Sequence, residues 1–169
     1  MIIGNVFVAR LPNEVNDDYF EDPTGALYKW DRGTLNGAPH KLVDIAQFYL
    51  GDIINSMLKA SLVPGGAEAL VYSTISGALG VLLPFVSRED VDFFSHLEMH
   101  MRQENPPLSG RDHLSYRSSF FPVKNVIDGD LCEQFVTLDM AKQRSIAEEL
   151  DRVPSEVAKK LEDLRNRVM

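Results

Sequence analysis

The hydrophobic pattern of this chain changes its period near residue 87, and that change limits the fold more than any other feature. Before it, apolar and β-branched runs of strand length are separated by turn residues. After it, apolar residues recur at helical spacing, as in Val91, Phe94, Leu97 and Met101. Strands followed by helices predict an α+β fold rather than the alternating order of nucleotide-binding folds.

Residues 1–86 are expected to form antiparallel β-structure. One run, IIGNVFVARL, precedes an acidic, turn-rich stretch at 12–36 that we interpret as an exposed loop. Four further runs follow at the turn spacing of a β-meander: KLVDIAQFYL, DIINSMLKASLV, EALVYSTIS and ALGVLLPFV. One meander and one separate strand leave sheet edges that proteins usually cap, pair or remove by radial repetition. We therefore expect one propeller blade plus a strand of its neighbour, as part of something larger.

Residues 87–169 are expected to form a helical domain. Ser87 followed by Asp90 resembles an N-cap pair, and the helix that they begin should end before Pro106-Pro107. Further helices are predicted at roughly 130–136, 140–150 and 154–167, although Val153 stands where a capping hydroxyl would be more usual. Pro154 suits the first helical position of the last one. Its apolar stripe is Val157, Leu161, Leu164 and Val168.

Charge and cysteine content exclude several classes of protein. A net charge of −8 argues against binding of a nucleic-acid backbone as the main role, because that mode needs a concentrated basic face. The one cysteine, Cys132, permits no internal disulfide and no thiol set for zinc, which favours a reducing compartment. No apolar run approaches the ~20 residues of a membrane-spanning helix.

The stretch FPVKNVIDGDLCEQF looks at first like an acidic metal or catalytic cluster. Asp130 and Glu133, however, have the spacing of a capping box, with an acceptor at the N-cap and a glutamate at N3. Metal loops need more ligands than Asp128 and Asp130 supply. We therefore predict a helix start here, no metal, and a buried structural thiol at Cys132.

The stretch GRDHLSYR holds a second set of reactive residue types. Without a companion nucleophile motif, it is expected to be a salt-bridged loop that fixes a helix against a sheet. His96 and His100 have the i, i+4 spacing of a metal clip but lack a third ligand, so we interpret them as ordinary helix positions. Loop residues of types enriched at binding hot spots are candidate partner contacts: Trp30, Arg32, Arg111, Tyr116 and Arg117. The alternative for Trp30 is that its ring anchors its own loop.

Four long stretches carry a resemblance to a known family. They are WDRGTLNGA, LVPGGAEALVYSTISGALGVLLPF, PPLSGRDHLSYRSSFFPVKNVIDGDLCEQF and EELDRVPSEVAKKLEDLRNR. On these, the chain resembles the carboxyl-terminal part of the splicing factor 3B subunit 3 family over almost its whole length. The wider group includes the damage-specific DNA-binding protein that serves cullin ubiquitin ligases and the large subunit of the cleavage and polyadenylation specificity factor, which share the IDGDL stretch in kind.

The resemblance implies three WD40-like β-propellers followed by a carboxyl-terminal helical domain. Residues 1–86 would end the last propeller, and 87–169 would be the helical domain. It also implies a nuclear, non-enzymatic scaffold of the SF3b part of the U2 small nuclear ribonucleoprotein, with no catalytic residues, cofactor or metal. The implied partners are the HEAT-repeat large subunit, the small SF3b subunits and the rest of its own propellers, with little direct nucleic-acid contact and no membrane.

Two alternatives come from other classes of protein. An adaptor of the cullin ubiquitin-ligase type would use the same fold to bind other partners, but GRDHLSYR and EELDR resemble the splicing member. A metal-dependent hydrolase would require Asp128, Asp130 and His113 to converge around a metal ion.

Overall fold

The computed structural model describes residues 4–11, 42–105, 110 and 112–167. In those residues the strands are β1 Asn5–Arg10, β2 Val43–Tyr49, β3 Ile54–Ala60, β4 Ala69–Thr74 and β5 Leu79–Leu82. The helices are α1 Arg88–Glu104, α2 His113–Arg117, α3 Gly129–Glu133, α4 Met140–Glu149 and α5 Pro154–Asn166, with a 3₁₀ helix at Gln134–Thr137. Antiparallel sheets together with helices confirm the α+β class. The division at residue 86 stays a prediction.

The strands form two antiparallel sheets rather than one meander with a separate first strand. β1 pairs with β2, from Asn5 opposite Tyr49 to Arg10 opposite Val43, while β3, β4 and β5 form a three-stranded sheet in that order. The predicted isolated first strand is therefore wrong. Its partner is β2, because Val6 and Phe48 lie opposite each other and both become buried in this pairing.

The carboxylate of Asp52 joins the turn before β3 to the turn between β4 and β5. Its Oδ1 accepts a hydrogen bond from the Ile53 amide at 2.7 Å, and its Oδ2 accepts one from the Ser76 amide at 3.2 Å and another from the Ser76 hydroxyl. The side chains of Ser76 and then Thr74 contribute most to lowering the pKa of Asp52 to about 2. These bonds hold two chain turns together at one end of the three-stranded sheet.

One hydrophobic core lies among the helices. Its buried residues are Phe94, Leu97, Met101, Leu131, Cys132, Phe135, Ile146, Ala147, Val157 and Leu161. The predicted helix stripes are confirmed at Phe94, Leu97, Met101, Val157 and Leu161, and Val168 lies outside the described residues. Val91, however, is exposed, and Asp90 is buried in its place. Positions 90, 94, 97 and 101 share one face of a helix, whereas position 91 lies about 100° further round. Buried Asp90 is paired with Lys160 at 3.1 Å and Arg167 at 3.5 Å.

The helices begin at or near the predicted residues, but the predicted capping hydrogen bonds are not all present in the described part of the chain. Ser87 occupies the N-cap position of α1, but its side chain makes no capping hydrogen bond within the described part of the chain. Asp139 caps α4 by accepting from the Lys142 amide at 2.8 Å. Val153 has no acceptor in its side chain, and the Glu156 carboxylate instead accepts from the Val153 amide at 3.2 Å.

The capping box predicted at Asp130 and Glu133 is wrong. Asp128 is the N-cap of α3, and its Oδ1 accepts from the Leu131 amide at 3.2 Å. Asp130 lies inside the first turn, and Glu133 accepts from Arg165 Nε at 3.1 Å across to α5. The helix begins two residues earlier because Asp128 has the extended backbone that an N-cap requires, while Asp130 is already helical.

Candidate functional site

Arg117, at the end of α2, connects the β1–β2 sheet to the helical core. Its Nε donates to Asp128 Oδ2 at 3.0 Å, and its Nη1 donates to the carbonyl oxygens of Tyr49 at 3.2 Å and Leu50 at 3.4 Å. The guanidinium group also lies 4.8 Å from the centre of the Phe48 ring. A planar, always charged fork can make all these contacts together, which a lysine cannot. The expectation that this stretch fixes a helix against a sheet is confirmed for Arg117.

We call this connection between the β1–β2 sheet and the helical core the junction. Asp128 and Glu98 are its acidic residues on the side of the helices. The Asp128 side chain is buried, and its backbone amide donates to Glu98 Oε1 of α1 at 3.2 Å. Burial is the main cause that raises the pKa of Glu98, and the Asp128 carboxylate adds to it; the hydrogen bond from the Asp128 amide and the charge of Arg102 oppose the shift. Ionised Glu98 is therefore a net cost of this arrangement.

Replacing Glu98 by glutamine is expected to stabilise the chain near pH 8 but not near pH 4. A carboxyl group whose pKa rises on folding stabilises the folded state when protonated, and that contribution is lost as the pH rises through the folded pKa. Glutamine keeps an oxygen for the Asp128 amide and carries no charge. Urea unfolding of both proteins at the two pH values measures the difference. An equal gain at both would contradict the assignment.

The segment after α2 continues the sheet along the free edge of β2. Gln47 and Lys124 exchange backbone hydrogen bonds, at 2.9 Å from the Gln47 amide and 3.0 Å from the Lys124 amide. The Gln47 side chain donates to the Pro122 carbonyl at 3.0 Å, and the Asn125 side chain donates to the Ile45 carbonyl at 2.7 Å. We call residues 118–125 the strap. Among the described residues, the strap covers this edge of β2, whose backbone groups would otherwise be unpaired there.

Aromatic rings of the strap and α2 contact aromatic rings of the β1–β2 sheet. The Tyr49 ring meets the rings of Tyr116 and Phe120 edge to face, with centroids 5.5 and 5.6 Å apart. Phe7 of β1 meets Phe121 in the same way at 5.3 Å. Such pairs each stabilise a contact by about 0.5–1.5 kcal/mol beyond area burial. The junction thus combines one ion pair, one β-bridge and an aromatic cluster.

Gly51 gives a direct test of how closely α2 approaches the sheet. Its φ is +89°, and a Cβ there would overlap the Tyr116 hydroxyl. Gly65 has a similar φ of +78° with open space around it. Gly65→Ala should cost about 1–2 kcal/mol of backbone strain, and Gly51→Ala should cost about 1–3 kcal/mol more, because the junction must also move. Equal losses in urea unfolding would show that Tyr116 does not pack against Gly51.

The candidate partner contacts fall into two groups. Trp30, Arg32 and Arg111 lie outside the described residues. Tyr116 and Arg117 make the junction contacts within the chain, and Arg117 is largely enclosed by them. Contact with a partner stays a prediction for all five.

Of the acidic and histidine residues weighed as a metal site, Asp128 and His100 make other contacts. The Asp128 carboxylate accepts hydrogen bonds from Arg117 and from the Leu131 amide at the start of α3. Within the described ranges, no group of three or more His, Cys, Asp or Glu is arranged to hold a metal. His100 lies 3.4 Å from Glu149. Cys132 is buried, and that burial raises the pKa of its thiol, which disfavours the thiolate form.

A second feature is an exposed apolar face on the three-stranded sheet. Leu58, Val71 and Val81 lie opposite one another on neighbouring strands. Leu79, two residues before Val81 in β5, lies on the same face. We call these four residues the apolar sheet face. Leu79 is 80% exposed and Leu58 is 53% exposed, so this face lacks a covering layer in the described part of the chain. Large exposed apolar patches mark interaction sites.

Sequence reasoning missed Glu98, Gln47 and the role of Asp128. The one signal for Asp128 was its position three residues before Leu131, where its side chain can reach the Leu131 amide. Nothing in the pattern pointed to Glu98 or Gln47, because both contact residues that are distant along the chain. In the described part of the chain, no helix is long and apolar enough to cross a lipid bilayer.

Comparison with known proteins gives consistent results. The family model described as "CPSF A subunit region" matches residues 3–137. The chain is 60% identical over 98% of its length to spliceosome-associated protein 130 A of Arabidopsis thaliana and 61% identical over 97% to splicing factor 3B subunit 3 of Danio rerio. It is 53% identical over 96% to pre-mRNA-splicing factor RSE1 of Mycosarcoma maydis. These matches confirm the resemblance drawn from the motifs.

The coverage of the relatives is uneven. The same alignments include nearly all of this chain but only 14% of the Arabidopsis and Danio proteins and 13% of the Mycosarcoma protein. The chain therefore spans about one seventh of the length of the curated relatives that it matches.

Proposed function

This chain belongs to the CPSF A subunit region family, and from that membership we propose that it forms part of a non-enzymatic protein-interaction scaffold of the spliceosome. The observation that carries the proposal is the agreement of the relatives. Proteins from a plant, an animal and a fungus, each named for splicing or the spliceosome, are 53–61% identical to it along almost all of its residues.

Membership of the SF3b complex, a nuclear location and a role in branch-site recognition belong to the same proposal. The Danio relative bears the name of an SF3b subunit, and its identity to this chain extends through both the strands and the helices. The expected partners are the HEAT-repeat and small subunits of that complex.

We further propose that the strands are the end of a β-propeller and that the helices form its carboxyl-terminal domain. The apolar sheet face supports this, because a blade of a propeller packs both faces of its sheet against neighbouring blades. About six sevenths of the length of the relatives lies outside the matched region, which is ample chain for the missing blades. The rest of the same propeller is the occupant that this face requires.

A pull-down from nuclear extract tests the scaffold proposal. The tagged chain serves as bait, circular dichroism checks that it is folded, and mass spectrometry identifies what it retains. A Leu161→Asp bait, in which the helical core is expected to unfold, is the control for retention by an unfolded chain. Retention of SF3b subunits by the parent and not by the control would support the proposal. Retention of cullin-ligase components in their place, or of no splicing protein by a folded bait, would count against it.

A further inference from the structure

The carboxylate of Asp128 accepts two separate hydrogen bonds at the junction, one at each oxygen. Its Oδ1 accepts from the Leu131 amide and so begins α3, which carries buried Leu131 and Cys132 into the helical core. Its Oδ2 accepts from Arg117 Nε at 3.0 Å. The side chain is 6% exposed, so this pair is little screened by water. The start of one core helix is thus joined directly to Arg117.

Arg117 carries the connection on to the sheet. It donates to the carbonyl oxygens of Tyr49 and Leu50, where β2 ends, and it covers the Phe48 ring. Arg117 also stands immediately before the strap. Both its charge and its position therefore fix where the strap begins relative to β2.

The strap itself has little backbone pairing of its own. Its backbone pairing with β2 is a single bridge between Gln47 and Lys124 rather than a full strand. Side-chain hydrogen bonds of Gln47 and Asn125 add to this bridge. Even a two-stranded hairpin is marginally stable in water, so one bridge needs support from elsewhere. The ion pair at one end and the aromatic contacts along its length supply that support.

We propose that the Arg117–Asp128 pair is a latch that holds the strap against the edge of β2. Breaking the pair releases the strap and opens that edge while the helical core stays folded. Because Asp128 both begins α3 and holds Arg117, the strap covers the edge of β2 only when α3 is in place. This inference does not rest on the spliceosome proposal. An open β2 edge would present backbone groups to which an extended segment can pair.

The test uses the full chain and two matched substitutions, Asp128→Asn and Asp139→Asn. Asparagine caps helices about as well as aspartate, so each variant keeps its helix start and loses one negative charge. Asp128 faces Arg117, whereas Asp139 is an exposed N-cap for which the described residues show no ion pair. Amide hydrogen exchange measured by NMR reports on the Gln47 and Lys124 amides, which donate the two bonds of the bridge.

We expect both amides to exchange about tenfold faster or more in Asp128→Asn, and to be unchanged in Asp139→Asn. Amides of α1 and α5 beside Leu97 and Leu161 should keep their protection. Arg117→Lys, which keeps the charge and loses the fork, should give the same local pattern. Unchanged exchange at Gln47 and Lys124 in both Asp128→Asn and Arg117→Lys would overturn the latch. An equal rise throughout the core helices would also overturn it.

Discussion

Replacing Leu161 by aspartate is expected to detach α5 from the helical core. Leu161 is buried on the face of α5 that packs into the core with Val157. The substitution removes a large apolar side chain, at a cost of about 2–5 kcal/mol, and places a carboxylate where no partner awaits it. The total loss should approach the whole stability of an ordinary domain, about 5–15 kcal/mol. Thermal unfolding followed by circular dichroism measures it.

Leu164 provides the graded control for this result. It lies on the same helix but is only partly buried at the edge of the core. Leu164→Asp should therefore lower the melting temperature much less than Leu161→Asp. Unchanged melting of the Leu161 variant would show that this stripe does not pack in solution.

Replacing Phe135 by alanine is expected to lower the free energy of unfolding by about 3–5 kcal/mol. Phe135 has no solvent exposure and lies in the 3₁₀ helix between α3 and α4. Because a large ring disappears from a closely packed interior, the remaining cavity adds to the lost transfer free energy. Urea unfolding gives the value.

Val136 is the matched control, since it is the next residue along the chain and is 52% exposed. Val136→Ala should change the free energy of unfolding by about 0.5 kcal/mol or less, as is usual for surface positions. Similar losses in the two variants would mean that Phe135 does not occupy the interior.

The helices could be predicted closely because their signals are local. α4 begins at Met140 and α5 at Pro154, the residues at which their periodic patterns begin. Strand pairing was a different matter. The pattern of KLVDIAQFYL indicates a strand, but it cannot say whether β1 or β3 is the partner. That choice depends on which apolar residues, here Val6 and Phe48, bury each other across about 40 intervening residues of chain.

The start of α3 shows a similar limit at short range. Asp128 and Asp130 both precede, by three residues, a position that a capping side chain can serve. Sequence spacing alone favoured Asp130 because Glu133 completes a capping box. In the fold, Arg117 holds Asp128 in place and Arg165 engages Glu133, so tertiary contacts decide between two adequate local solutions.

The sequence predicts that the stretch GRDHLSYR joins a helix to a sheet, but it does not predict which residues make the contacts. The stretch GRDHLSYR was expected to fix a helix against a sheet, and Arg117 does so through Asp128 and the end of β2. The last five residues of this stretch form the short helix α2 rather than a loop, because Asp112 caps it by accepting from the Ser115 amide at 3.2 Å. Contacts between residues that are far apart along the chain produce no pattern of residue spacing, so the sequence does not predict them.

The most direct test of the larger scaffold is to offer the chain its missing part. The Danio relative, with the matching 164 residues deleted, would be mixed with this chain and analysed by size-exclusion chromatography with light scattering. A stable one-to-one complex that is weakened by Leu58→Lys on the apolar sheet face is the predicted result. Separate elution of two folded proteins would contradict the proposal that this chain completes a propeller scaffold.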